Sequence, residues 1–422
     1  EGLAYAQSDD DGATWTKPTL GVCEYRGSRE NNLVLNMHGC SHTCVLIDPT
    51  TVPSHPNRAS MVKAWREGKP GEILDNDEGH RRLDAKNAAE PGESYLPVSL
   101  RGRVFGHHSP DGLRWTMRDE PILDEWHDSF NQCFYDARKK KYIGYWRGFY
   151  GGRRAVAYNE SDDFEHMQPT RCIHHHLVTD RPDASLYSPG YTRYPGRDDI
   201  HLMFNGVYRQ VTDTVDGQLA VSLDGVNWSS HTDHPIIPCG EPGDPDQGSV
   251  YPGPELTACT DDTFRMILRS SGLYHNQGYL SAYRRKESSA FYQWAVWDAH
   301  RLAGVRADGD GRFTFRMPAG VERLVANFRA DRDGWVKFSL ADRSPWPPQP
   351  IRLDVPGHGE DDMKPLTGDH THAPLAWQGD ADLSALKERA LFVTAHLPQA
   401  TLVAAPGYPT ADPAPPHDPP FP

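Results

Sequence analysis

The stretch Ala220–Trp228, "AVSLDGVNW", decides the fold. It begins with a short apolar–polar alternation, the period of a strand with one buried face. Ser222, Asp224, Gly225 and Trp228 follow in an order that suits a tight turn. The carboxylate accepts hydrogen bonds from loop N–H groups, the glycine takes positive φ, and the indole folds back onto the sheet. The same order returns in "AQSDDDGATW", ending at Trp15, and in "HHSPDGLRW", ending at Trp115. A weaker copy, "AYNESDDFEHM", surrounds Asp163.

The serines of these turns stand at 8, 109, 161 and 222, with spacings of 101, 52 and 61. A four-stranded propeller blade repeats every ~40–50 residues. The longest spacing is then one blade with inserted material between residues 65 and 95, and Val250–Tyr283 supplies a further blade without the turn. The expectation is an all-β chain whose residues 1–300 form a five-bladed β-propeller with an incomplete first blade. Leu3–Ser8 already looks like that blade's third strand, so either the N-terminus is truncated or other strands close the ring. From Arg301 short strands alternate with Asp-Gly turns, which predicts a β-sandwich accessory domain over residues 301–405. Residues 406–422 hold eight prolines in seventeen positions and are expected to form a disordered or extended tail.

Composition agrees with strands and turns: 37 glycines, 36 prolines and 10% aromatic residues in 422. Lys plus Arg is 44 against 58 Asp plus Glu, a net charge of −14, which argues against a nucleic-acid partner. No run of ~18 apolar residues is present to span a membrane. The seven cysteines are an odd number and do not form a disulfide framework, which leans towards a reducing compartment.

The segments "AYAQSDDDGATWTKPTLG", "NNLVL", "SPDGLRW", "DSFNQCFYDARKKKYIGYWR", "SLDGVNW" and "RLAGVRA" together carry a resemblance. From Leu3 to about Val403 the chain resembles bacterial glycosidase-like proteins of the five-bladed propeller type. These are related in architecture to glycoside hydrolase families 32 and 43 and usually carry a C-terminal β-sandwich. The resemblance implies a carbohydrate substrate, no cofactor, and three pocket acids; it also allows export, so the compartment stays open. Members begin with further strands upstream of the first Asp-containing turn. That departure leaves open any catalytic residue the family places on its first inner strand.

A propeller gathers its pocket where the inner strands open at one end. The stretches leading into those strands are "HGCSHTCVLID", "HDSFNQCFYD", "PDASLYSPGYTRY" and "GDPDQGSVYPGPEL". Three carry an acid ahead of the strand, Asp128, Asp183 and Asp246, followed by Asn131, Tyr187 and Tyr251 respectively. Glycoside hydrolysis needs two carboxyl groups, one to protonate the leaving oxygen and one as nucleophile or base. By resemblance Asp128 takes the place of the middle-blade acid; Asp246 is the candidate general acid or base and Asp183 the third acid. The bland alternative for each is a turn aspartate satisfied by backbone N–H groups. Glu255 is read as lying within its strand, a sugar-binding competitor of Asp246.

His38, Cys40, His42 and Cys44 alternate like a metal site. On a strand, however, the run covers roughly 20 Å, too far for one ion, so no metal is expected. His42 instead begins an inner strand and is read as binding sugar or donating a proton. His275 is placed in a hairpin, where it could act as an acid or stay an exposed loop residue. His174–His176 is read as solvated loop. Arg147 and Arg153 flank a Gly-rich aromatic turn, and Arg147, ending a strand on the pocket side, suits a sugar ring plus a carboxylate or sulfate.

The leading expectation is a glycoside hydrolase acting on a small or terminal sugar. The alternatives are a non-catalytic carbohydrate-binding propeller and a polysaccharide lyase on uronic-acid glycans, with His42 or Tyr187 as base and Arg147 neutralising the carboxylate. Sugar, linkage, stereochemical outcome and oligomeric state are not encoded in a form the sequence reveals.

Overall fold

The computed structural model describes residues 2–36, 44–48, 57–63, 104–109, 111–125, 127, 130–176, 181–230, 235–280, 290–307, 309–317, 319–343, 354–404 and 407–408. His42 and Asp128 lie outside them, as does nearly all of the predicted tail. The described chain is almost entirely β and divides into two compact units, one of Glu1–Cys259 with Arg265–Val296, the other of Thr260–Phe264 with Trp297–Pro422.

The first unit opens with β1 (Gly2–Ala4) paired to β2 (Leu33–Asn36), so the expected strand Leu3–Ser8 is shorter than its sequence pattern. An antiparallel sheet follows, in the order β3 (Cys44–Ile47), β4 (Asn57–Lys63), β5 (Val104–Ser109), β6 (Thr116–Leu123). The next sheet repeats this meander with β7 (Gln132–Asp136), β8 (Lys141–Tyr150), β9 (Arg153–Ser161) and β10 (Arg171–His174). β8 turns into β9 through Gly151 and Gly152, whose φ angles of 57° and 77° are those of a two-residue hairpin that twists with its strands. Then come β11 (Ala184–Ser188), β12 (Tyr191–Arg193), β13 (His201–Arg209), β14 (Thr214–Ser222) and β15 (Ser229–Ser230). A single parallel bridge, Val215 to Ser249, joins them to β16 (Ser249–Pro252), β17 (Thr257–Ala258), β18 (Thr263–Ser271), and, after a short helix α1 (His275–Leu280), β19 (Ala290–Asp298).

Three of the four turn motifs close in the same way. Ser8, Ser109 and Ser222 each accept the N–H of the motif glycine on Oγ, at 2.8, 2.8 and 2.9 Å. Asp10, Asp111 and Asp224 each take the N–H of the residue before the tryptophan, at 2.8, 2.8 and 2.7 Å. Each indole returns a bond to the glycine carbonyl, at 3.0, 3.0 and 3.2 Å. The glycines carry φ of 83°, 72° and 75°, which a side chain would strain. The fourth copy keeps Ser161 and Asp163, but the buried Phe164 stands at the glycine's position in sequence and the buried Met167 at the tryptophan's.

β8 and β9 are buried on both faces, as their near-continuous buried runs over residues 142–147 and 155–159 show, and successive side chains go to opposite sides. Tyr142 and Trp146 point into a cluster with Leu46, Val104, Ile122 and Phe164 of the preceding sheet and turn. Ile143, Tyr145, Val156 and Tyr158 point the other way, onto Ala184, Leu186, Met203 and Val207. Gly144 has to lack a side chain, since a Cβ there would sit 2.3 Å from the indole nitrogen of Trp146. That nitrogen donates to Asn159 Oδ1 at 2.8 Å, which lets a fully buried Trp contribute its apolar surface without an unpaired polar atom. At the start of the unit, Trp294 of β19 donates to Gly12 O (3.3 Å) and Arg265 of β18 to Asp11 O (3.2 Å). The first turn therefore lies against the last strands.

The second unit holds two sheets. One runs β20 (Val305–Arg306), β26 (Ala400–Ala404), β22 (Arg323–Ala330), β24 (Asp369–Pro374); the other runs β21 (Arg312–Met317), β25 (Leu391–His396), β23 (Lys337–Ala341). Both sheets feed one apolar cluster that includes Phe328, Phe338, Trp377 and Leu391. β27 (Gly407–Tyr408) pairs with β22, so strand pairing reaches into the segment expected to be a disordered or extended tail. Cys172 and Cys239 are free thiols.

Candidate functional site

Three stretches distant in sequence, within β11 and β16 and just before β7, each deliver an aromatic ring to one cluster. Phe130, just before β7, has a φ of 63°, a left-handed conformation that a bulky residue adopts only under constraint. Its ring stacks on Tyr251 of β16, with centroids 5.8 Å apart and planes 16° apart, and meets Tyr187 edge-on at 6.1 Å. Tyr187 owes its direction to a bulge in β11: Leu186 pairs with Val207 and Ser188 with Gly206, which leaves Tyr187 unpaired between them. Such an extra residue bends the strand and re-aims its side chain. Tyr208, buried on β13, completes the set at 6.2 Å from Tyr187.

His275 closes the cluster from the start of α1. Its ring lies 4.7 Å from that of Tyr187 and 4.8 Å from that of Tyr208, and its Nδ1 shares a 2.5 Å hydrogen bond with the Tyr251 hydroxyl. Asp213, in the β13–β14 turn, fixes this arrangement. Its carbonyl accepts the His275 N–H at 2.8 Å, and its carboxylate accepts the Tyr208 hydroxyl at 3.0 Å and the Asn276 side-chain amide at 2.7 Å. Burial, with help from the Arg154 charge, pulls the His275 imidazole down to about 4 against the opposing pull of Asp213. It is therefore neutral near pH 7. Burial raises the Tyr251 phenol, and burial with the Asp213 hydrogen bond raises that of Tyr208.

Three guanidinium groups surround these rings. That of Arg147, buried on β8, lies 3.8 Å from the centre of the Tyr187 ring. Arg154 of β9 stands 5.1 Å from Tyr187 and 5.6 Å from Tyr208, and Arg269 of β18 stands 5.5 Å from Tyr251. Pairing of Arg147 with Val156 puts Arg147 and Arg154 on one face of the β8–β9 hairpin. Arg153 faces the other way and donates to Ala184 O at 3.0 Å, tying down the entry to β11. The cluster offers apolar faces, cationic forks, and a phenol–imidazole pair able to hold or pass a proton.

Of the residues selected from sequence, Arg147, Tyr187, Tyr251 and His275 meet here, and Asn131 lies buried between Phe130 and β7. His42 and Asp128 fall outside the described residues. Asp183 is engaged by Arg181, with Nε to Oδ1 at 3.2 Å, and Asp246 by Gln293, with Nε2 to Oδ2 at 2.9 Å. Among the described residues neither carboxylate bonds to a member of the cluster. Glu255 is not within a strand: β16 ends at Pro252, Pro254 has no N–H to continue a ladder, and Glu255 is exposed beyond it. His275 starts a helix rather than sitting in a hairpin, and His174, expected in a solvated loop, is buried at the end of β10. Sequence reasoning missed Phe130, Arg154, Tyr208 and Asp213. The doublet Arg153–Arg154 was the one visible signal, and only the strand register says which arginine faces the rings.

No protein-family model matches the chain, and no curated protein matches it in sequence. Among solved structures it is similar to a glycoside hydrolase at a TM-score of 0.42 and 11% identity, over 69% of this chain and 76% of that one. It is also similar to a glycosyl hydrolase from Bacteroides ovatus (TM-score 0.38, 12% identity, 63% and 68% covered). A third is β-1,2-mannobiose phosphorylase from Listeria innocua (TM-score 0.34, 15% identity, 56% and 57% covered). At such scores and identities these likenesses carry no argument for this chain.

Proposed function

We propose that the chain is a carbohydrate-active enzyme that hydrolyses a glycosidic bond at the cluster of Phe130, Tyr187, Tyr251 and His275. The first unit is then a five-bladed β-propeller with this cluster at its axial mouth, and the second a β-sandwich accessory domain. One observation carries the proposal: β11, β16 and the residues just before β7 deliver aromatic rings to one point beside a neutral His–Tyr pair. Inner propeller strands bring distant stretches together in this way. Successive meanders packed face to face, and the first turn resting on β18 and β19, support the ring. Aromatic faces suit the C–H faces of a sugar, while Asp128, close before Phe130, and Asp246, before β16, supply the two carboxyl groups, with Asp183 in support.

The test is turnover of glycans by the full chain carrying Asp128→Asn or Asp246→Asn. Each is expected to lose about 10²–10⁴-fold in rate, the usual worth of general acid–base catalysis, with thermal unfolding unchanged. Full activity in both variants overturns the hydrolytic assignment. A second chemistry is favoured by one specific feature. The neutral His275, bonded to Tyr251 with Arg147 nearby, could abstract the C5 proton of a uronic acid while the phenol protonates the leaving oxygen, leaving a C4–C5 double bond. Ultraviolet absorbance of that new C=C bond in the product separates elimination from hydrolysis.

A further inference from the structure

We infer that the cluster takes a sugar bearing a carboxylate or sulfate group, and that Arg154 and Arg269 hold its anionic oxygens. This rests on the carbohydrate assignment above and narrows it to a substrate class. The two arginines come from different strands, β9 and β18, yet both stand over rings of the same cluster. Among the described residues neither guanidinium has a carboxylate partner. The chain has acids to spare, 58 against 44 basic residues, and arginines nearby are paired. Arg193 meets Asp136 at 2.8 Å, Arg209 meets Asp216 at 2.5 Å, and Arg197 meets Asp199 at 2.8 Å. Asp213, the carboxylate bonded within the cluster, is taken up by Tyr208 and Asn276.

Arg154 gives the sharper sign. Its Nε is buried with no acceptor, and a buried donor left without a partner destabilises the fold. An anionic ligand oxygen is the acceptor such a group lacks, and the planar guanidinium fork matches a carboxylate or sulfate. A neutral sugar would satisfy the rings but leave these charges unanswered. The rings of Phe130, Tyr187 and Tyr251 would meet the sugar face while the arginines read its anionic group.

Two measurements on the full chain test this. The first titrates inorganic sulfate and follows the His275 imidazole by NMR, assigned with His275→Gln. Bound sulfate favours the imidazolium, so the midpoint is expected to rise with sulfate, and Arg154→Met and Arg269→Met are expected to blunt that response. Arg269 is exposed, so its variant tests the proposal even if Arg154→Met misfolds. A midpoint indifferent to sulfate, or a full response in Arg269→Met, overturns the anion site.

The second compares binding of galacturonate, glucuronate and mannuronate oligosaccharides with their methyl esters, and of a sulfated galactan oligosaccharide with its desulfated form. At least one acidic form is expected to bind about tenfold or more tighter than its neutral partner, and the identity of that pair distinguishes carboxylate from sulfate. Neutral and acidic forms binding equally overturn the inference while the carbohydrate assignment stands. Sulfate binding with no sugar binding removes the carbohydrate assignment, and the substrate class with it.

Discussion

Leu186 and Ser188 pair with successive residues of β13, and the residue the ladder skips is Tyr187. Nothing in "ASLYSPG" announces a bulge, although Tyr187 and Tyr251 both stand in the stretches expected to lead into strands. Phe130 stands in the quoted stretch "HDSFNQCFYD" as well, but its positive φ is imposed by its surroundings and leaves no mark in composition. His275 was selected from sequence, but its charge state was not legible there, since that depends on burial and on Arg154. Its imidazole should titrate near 4 by NMR. Between the ordinary histidine value of about 6.5 and that lowered value, the unfolded chain binds a proton that the native site refuses. Stability should therefore fall as pH drops through this window and level off below it. In His275→Gln, urea midpoints compared at neutral and mildly acidic pH should show a shallower decline; an unchanged decline contradicts the buried, neutral imidazole.

Turns and short elements were read with uneven success, for identifiable reasons. Ser, Asp, Gly and Trp each have a local task in the turn, so the motif is written in four residues and needs no tertiary context. A six-residue helix has no apolar period to show, so α1 leaves no helical signal in the sequence. Glu255 lies beyond Pro252 and Pro254, which end the strand before it. The turn aspartates are held low by their donors. Side-chain and backbone bonds from Thr14 hold Asp10 at about 2; at Asp111 burial opposes the shift, but the N–H groups of Arg114 and Leu113 win and hold it at about 2. Backbone and side-chain bonds from Asn227 likewise lower Asp224. Such carboxylates contribute stability above their unfolded value of about 3.9, and it is lost as pH falls through the native value. Asp224→Ala, which removes an acceptor from several donors as loss of a helix cap does, should destabilise by about 1 kcal/mol at neutral pH. Chemical denaturation at neutral and strongly acidic pH checks this, and the cost should shrink in acid.

At the scale of the molecule, repeat spacing and strand starts foretold an all-β chain whose sheets follow one another as antiparallel meanders. Side-chain destinations across sheets were beyond that method. Asp183 and Asp246 precede strands as the repeat predicted, yet the positions of Arg181 and Gln293 decide what they bond to. Arg147 was chosen for the end of a strand and is instead buried under Tyr187, which packing between two sheets determines. The central claim is that the gathered rings and their His–Tyr pair form the carbohydrate site. A glycan array probed with the wild-type chain and with Tyr187→Ala, both shown folded by their melting transitions, tests it most directly. The account predicts that wild type binds a defined set of glycans and that Tyr187→Ala loses about tenfold or more of that affinity, since truncating a well-packed aromatic anchor at a binding surface typically costs about 2 kcal/mol or more. Undiminished binding by Tyr187→Ala, or a wild-type chain that binds no glycan, would contradict it.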